Sequence, residues 1–381
     1  MKKFRVYGLL LAAFLLFQLN GTVYALNRLV PSAYPTIQAG INAAVNGDVV
    51  IVAPGTYTGL GNSDLDFLGK AISVVSQGGA ATCIIDCAGL GRGFWFHSGE
   101  SSTSVVDGFT IRNGTGLAKG GGGILCEPSP LGAASSPSIL NCVITGNSSG
   151  GALTTGGGIK CDRCSPVISG CHISLNTADS GGGGIASDLG SPRISNTIIE
   201  SNSTLTMSGG GAAFDFGIPS MVNCLLFDNK ALDPLAGTGG GISSSFSSLT
   251  ILNCTLSRNV AAIGGGGLKA EGPPGPTITN SILWGDLPNE IRDALLVAVV
   301  SYSNITQPAG IYPGLLNINA NPLFTALRDF KLLAASPCID AGNNAAPGLP
   351  AVDLRGSPRV VNGKTPPIGP AIVDIGAYEF P

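Results

Sequence analysis

Charge is scarce in this sequence. Asp, Glu, Lys and Arg together make up 11% of its 381 residues, against about a quarter in an ordinary globular chain. The net charge of −3 provides no basic field for a phosphate backbone, so nucleic acid is not an expected partner. Disorder is equally disfavoured, because 44% hydrophobic residues suffice to build a core. Histidine is rarer still: His97 and His172 are the whole supply, which argues against a histidine-built metal centre. Long apolar runs are missing after the first two dozen residues, so the mature chain has no candidate for a membrane-spanning helix.

The chain opens with a basic start at Lys2, Lys3 and Arg5, an apolar run over residues 6–17, and small residues at Val23 and Ala25. That order reads as a secretory signal peptide over 1–25. The apolar run falls short of the ~20 residues a membrane span needs, so the protein is expected to be exported, either secreted or at a cell surface. Ten cysteines in an exported chain make disulfides possible. Cys126 with Cys161, Cys142 with Cys171, and Cys224 with Cys254 fall in common columns of the repeat described below. Side chains stacked at the ~4.8 Å strand spacing sit wider than the ~3.5–4.5 Å that a disulfide prefers between Cβ atoms. The expectation is therefore cysteine as a small apolar core filler.

Glycine, by contrast, is abundant at 57 residues, and much of it stands in blocks that end on an apolar residue, such as Gly156, Gly157, Gly158 and Ile159. Between the blocks one stretch recurs at 137–147, 166–176, 192–202, 219–229, 249–259 and 276–286. Self-similarity at this period signals stacked coils. Aligned on their first residue, the copies carry Ile139, Ile168, Ile194, Met221, Ile251 and Ile278 in one column. Ile144, Ile173, Ile199, Leu226, Leu256 and Leu283 form a second, and the small Cys142, Cys171, Thr197, Cys224, Cys254 and Ser281 a third. These columns are expected to point inward and stack from coil to coil. Asn141, Asn196, Asn223, Asn253 and Asn280, with Gly170, fall where a corner is needed, and both residue types tolerate left-handed backbone. Another column, Asn113, Asn147, Asn176, Asn202, Asn229 and Asn259 with Asp286, closes each strand. Its spacings of 34, 29, 26, 27, 30 and 27 residues give one coil per repeat. A ligand-binding reading of that row exists, but every coil needs its corner, so a structural role is expected. Before the array, Ile37, Ile41 and Val45 show helical spacing ahead of a turn at Gly47 and a strand from Val49, which suits a terminal cap.

Thr36, Ile37 and Gln38, Gly47 and Asp48, and the run Ala53, Pro54, Gly55, Thr56 and Tyr57 resemble the opening segment of the pectate-lyase-like superfamily of right-handed parallel β-helices. Residues 70–113 resemble the next coils of bacterial β-helix repeat proteins through Ile84, Ile85 and Asp86 and through Val106, Asp107, Gly108, Phe109 and Thr110. Asn317, Pro322, Asp329, Cys338, Asp340, Asp353 and Glu379 lie in segments similar to the closing part of the same proteins, which usually precedes a variable surface anchor. The resemblance implies an all-β fold: a right-handed parallel β-helix over 26–300 with an N-terminal helical cap, and a C-terminal capping region over 301–381.

Chemistry is harder to place. Three residues beyond each glycine block stand Glu127, Asp162, Asp188, Asp215 and Glu271, with Ser245 in the remaining coil. Carboxylates ~5 Å apart repel by roughly 0.8 kcal/mol in water and about 3 kcal/mol near a protein surface. Such a row therefore needs good solvation, turn amides or a cation, and calcium suits neighbouring hard oxygens. The alternatives are a calcium or sugar-contact row, and acids that each satisfy the backbone of their own turn. Lyases of the superfamily use acids to hold calcium and an Arg or Lys as base. Lys160, Arg193 and Lys269 are the nearest candidates here, and none stands in a lyase motif. The signatures of the superfamily's pectin hydrolases, Gly-His-Gly and Arg-Ile-Lys among them, are absent. His172 should face outward, and His97 should pack or hydrogen-bond. The nucleophile-elbow match at Gly146, Ser148 and Gly150 lacks its strand-to-helix setting. The glycine-block and Asn pattern also resembles repeats of bacterial polymorphic outer-membrane adhesins. The expectation is a non-catalytic module for recognising polysaccharide or cell-envelope surfaces. A calcium-assisted uronate lyase is the alternative, and a structural coat component a third.

Overall fold

The computed structural model describes residues 25–308, 310–363 and 369–381; the expected signal peptide lies outside the described residues except for Ala25. The chain winds into a right-handed parallel β-helix. Its successive rungs build three long sheets of eleven, ten and eight strands and a short fourth sheet of four. Every pairing within these sheets that joins rung to rung is parallel, as in Ser138–Leu140 on Val167–Ser169 and Val143–Thr145 on His172–Ser174.

The inward columns stack as their spacing predicts. Ile139, Ile168, Ile194, Met221, Ile251 and Ile278 face one another in register along the first sheet. Ile144, Ile173, Ile199, Leu226, Leu256 and Leu283 do the same along the second. All twelve are buried, and burying one such side chain stabilises by about 1.5–3 kcal/mol. Phe67, Phe94, Phe96 and Phe109 fill the N-terminal rungs as one aromatic cluster. The ten cysteines are all buried free thiols, acting as core filler.

The corner between the first two sheets is left-handed, with φ from 49° to 53° at Asn141, Asn196, Asn223, Asn253 and Asn280 and 67° at Gly170. The second Asn column needs a correction. Thr145 pairs with Arg112, so Asn147 is equivalent to Gly114, and Asn113 is equivalent to Gly146. The left-handed residue of this corner is the one before each asparagine: Asn113, Gly146, Leu175, Ser201, Asp228, Arg258 and Gly285. Asn147, Asn176, Asn202, Asn229 and Asn259 themselves turn inward and are buried, forming a hydrogen-bonded ladder. The glycine blocks allow it. A Cβ on Gly184 would lie 2.6 Å from the Gly211 carbonyl and 3.1 Å from the Asn202 amide.

At the N-terminus, Thr36 caps the helix Ile37–Ala43, which buries Ile37 and Ile41 against the first rung. The carboxylate of Asp48 accepts from the Leu26 and Val45 amides and from Arg28, and these hydrogen bonds hold it down at about 2. At the other end the rungs continue through Val299–Ser301 and Asn304–Ile305, with bridges on to Leu315 and Ile318. The remaining residues cover the outer face of the second sheet, packing Phe330, Cys338, Ile339 and Ile375 over Leu225, Phe227 and Ile282. Among the described residues no helix is long and apolar enough to cross a membrane.

Candidate functional site

The third sheet presents the acid row. Its strands Ile159–Asp162, Ile185–Asp188, Ala212–Asp215, Ile242–Ser245 and Leu268–Glu271 bury their first and third residues, so period-two alternation turns the fourth outward. Register then aligns Asp162, Asp188, Asp215, Ser245 and Glu271. Glu127 follows Cys126, which pairs with Cys161, and extends the row by one rung.

Each carboxylate has its own surroundings. Glu127 accepts from Trp95 Nε1 at 2.8 Å and pairs with Lys119 at 2.6 Å. Asp162 pairs with Arg163 at 3.1 Å. Glu271 pairs with Lys269, whose hydrogen bond lowers its pKa. Asp188 makes no ion pair among the described residues. Loss of solvent against the sheet, then the charges of Asp188 and Glu271, push the Asp215 carboxyl up. Among the described residues no group of three or more acidic, histidine or cysteine side chains is arranged to hold a metal. Of the three basic candidates, Lys160 donates to the Lys119 carbonyl at 2.9 Å, and Lys269 is taken up by Glu271. Arg193 lies on the first sheet, away from the row.

The residues that follow the row escape the sequence reading. Arg163, Leu189, Phe216 and Phe246 make the next corner with φ of 50°, 55°, 61° and 50°. Left-handed backbone is unfavourable for bulky side chains, yet the two phenylalanines are 47% and 46% exposed. Their rings stack at 5.6 Å with 15° between planes. On the next rung the corner residue is Gly272, and a Cβ there would meet the Phe246 ring at 2.2 Å; the ring lies over the bare backbone. Leu189 and Ile218, both exposed, extend the apolar edge. Acids and aromatics thus run side by side along the solenoid axis. The signal was present in the sequence as the residue after each acid.

A concavity of about 730 Å³ opens at the corner beyond the second sheet, lined by Asp228, Lys230, Arg258 and Arg328 among others. Arg328 reaches across from the C-terminal region to Glu200 and to Asp228 at 3.1 Å. Arg258 pairs with Asp228 and donates to the Leu327 carbonyl, both at 2.6 Å. His172 does face outward and contacts Glu200 at 2.8 Å. His97 stacks on Trp95 at 4.0 Å and lies 3.3 Å from Asp66.

No curated protein matches the chain. The family described as right handed beta helix region matches residues 155–283. Among solved structures, the chain is similar to the pectate lyase Pel9A, with a TM-score of 0.46 and 15% identity over 90% of both chains. It is also similar to the alginate lyase AlyGC of the PL6 family, with a TM-score of 0.34 and 12% identity over 80% of this chain and 55% of that one. The stretch matched as right-handed β-helix, 155–283, includes Asp162, Asp188, Asp215, Glu271 and both corner phenylalanines.

Proposed function

We propose that this is an exported module that binds polysaccharide along the edge formed by the acid row and the aromatic corner, without cleaving it. The stacked, half-exposed Phe216 and Phe246 carry this reading. A left-handed corner is built more cheaply from glycine or asparagine, as Gly272 and the first corner demonstrate. A non-glycine residue held there costs on the order of 1–3 kcal/mol, and these rings face solvent. A flat apolar ledge flanked by carboxylates offers ring faces to a sugar's C–H surface and acceptors to its hydroxyls. The rung spacing repeats that pair of features along an axis a polymer can follow. The engagement of Lys160 and Lys269 by their neighbours supports binding over catalysis, since neither is left as a free base.

The test is affinity electrophoresis of the mature protein against a panel of neutral and uronate polysaccharides, with and without calcium. Retardation by at least one polymer is expected, and Phe216→Ala/Phe246→Ala should weaken it about tenfold or more, since each aromatic contact contributes roughly 0.5–1.5 kcal/mol beyond area. Binding unchanged by the double substitution would remove the corner from the site. In parallel, ultraviolet absorbance for unsaturated ends should stay flat. A rising signal abolished by chelation and by Asp162→Ala/Asp188→Ala would make the protein a calcium-assisted lyase instead.

A further inference from the structure

The asparagine ladder ends on a rung where its chemistry changes. Within the ladder each side chain has two tasks. Asn202 Oδ1 accepts from the Asn176 amide and from Asn176 Nδ2, both at 3.0 Å. Asn202 Nδ2 donates to the Ile173 carbonyl at 2.9 Å and to Asn229 Oδ1 at 3.0 Å. The final place holds Asp286. Its Oδ1 behaves as an asparagine's would, accepting from the Asn259 amide at 2.6 Å and from Asn259 Nδ2 at 2.9 Å. Its Oδ2 stands where the ladder needs a donor, and it has no partner among the described residues.

A second replacement falls on the same rung. Ile291 pairs with Leu268, so Glu290 is equivalent to Gly267, and through the register to Gly241, Gly211 and Gly184. Glu290 imitates the missing next asparagine: its Oε1 accepts from the Gly285 amide at 2.7 Å and the Asp286 amide at 3.3 Å. The consequence is acceptor against acceptor. Two carboxyl groups, on residues only 3% and 4% exposed, meet where an amide would have donated. Like charges in contact cannot both persist. Protonating one restores a donor of the right shape.

We propose that Asp286 and Glu290 share one buried proton that completes the ladder, and that its loss in base unlocks the last rungs. Burial and the mutual contact push the Asp286 carboxyl well up, and burial raises Glu290. Among the described residues neither carboxyl makes an ion pair. Asn259 faces the pair from the preceding rung, and Thr306 of the following one lies with Glu290 on the wall of a small cavity. Tyr312, on the wall of the same cavity of about 180 Å³, is pushed up to about 12 by burial, then by Asp293, and stays neutral. Arg258 opens toward Gly285 but is held by Asp228. In the unfolded chain both acids ionise near pH 4, whereas the folded pair retains a proton. Stability of this end therefore falls as pH rises above that value, until the folded pair has lost its proton.

Hydrogen exchange over residues 280–306, corrected for intrinsic rates, tests this with the full mature protein at about pH 4.5 and pH 9. The opening equilibrium should rise about tenfold or more in the wild type, one pKa unit being a factor of ten. It should stay level in Asp286→Asn, which supplies the amide found in five other rungs. Glu290→Gln, which donates from the other side, provides the same readout if the first variant folds poorly. Equal pH profiles in wild type and both variants would overturn the proposal. So would recovery of protection at pH 9 by millimolar calcium in the wild type alone, which would make the pair a metal site.

Discussion

Asn202→Ala is expected to split the solenoid's unfolding into two transitions and to destabilise the central rungs by about 4 kcal/mol or more. The substitution removes four buried hydrogen bonds: the Asn176 amide loses its acceptor, the Ile173 carbonyl loses a donor, Asn176 Nδ2 keeps only the Ile144 carbonyl, and Asn229 Oδ1 keeps only the backbone amide of residue 202. An orphaned buried amide costs about 1–3 kcal/mol, and each of the other three lost hydrogen bonds about 0.5–1.5 kcal/mol. Water cannot easily take over, because Gly184 and the rungs on either side close over the site. A solenoid's stability is roughly a sum of rung terms and neighbour couplings, so loss of one coupling lets the two sides melt separately. Differential scanning calorimetry together with hydrogen exchange on either side of Asn202 reads this directly. One transition, with a loss below about 1 kcal/mol, would reduce the ladder to a by-product of the fold. Asn202→Asp adds a second arm: its raised carboxyl pKa should make it nearly as damaging at pH 8 yet milder at pH 4, where protonation restores the donor.

Much of this architecture is legible in the sequence because a repeat converts one rung's physics into columns. The inward isoleucines and leucines stack where their spacing places them, and the left-handed corner falls on Asn141 and its equivalents. The ladder is legible as a column, but its frame slips at Asn113. That rung has glycine at the ladder place, and Asn113 happens to fill the corner one residue earlier. The acid row is legible by position, and the structure aligns it in register. What the sequence could not convey is contact between a repeating and a non-repeating segment. Arg328 meets Glu200 across 128 residues of chain, and no periodicity points from one to the other. The aromatic corner was missed for a different reason. Exposed apolar residues at a turn carry no pattern of their own, and only the left-handed backbone beneath Phe216 and Phe246 makes them unusual. Asp286 and Glu290 were both visible as departures, one from an asparagine column and one from a glycine block. Their meaning required knowing that the two columns touch.

Arg359 is the clearest case of a residue whose importance lies wholly in such a contact. Its side chain is fully buried, donating to Asn223 Oδ1 at 2.7 Å and the Ala377 carbonyl at 2.9 Å, with Glu379 at 3.5 Å. Asn223 also donates to the Val352 carbonyl at 2.7 Å, so one corner of the second sheet is clasped twice by the C-terminal region. Replacing Arg359 with Met leaves the buried Asn223 Oδ1 without its donor, at about 1–3 kcal/mol, and removes the cation that eases ionisation of Glu379. The expected result is release of this region from the second sheet while the rungs stay folded, because the inward columns stack on one another along the solenoid. Trp284, partly buried against the C-terminal cluster, should shift its emission to the red, and limited proteolysis should cut beyond residue 320. Docking should also depend on pH. Burial pushes Glu379 up to about 8 and Asp374 up to about 6, both above the free carboxyl range. Both bind protons more tightly when docked, so docking weakens as pH climbs from about 4 and stops changing above about 8. Glu379→Gln should flatten the upper part of that profile, and Arg359→Met should steepen it by leaving the acids without their cation. An Arg359→Met protein with unshifted Trp284 emission, protease resistance and the wild-type pH profile would mean that apolar packing of Phe330 and Ile375 holds the region in place and that the arginine is dispensable.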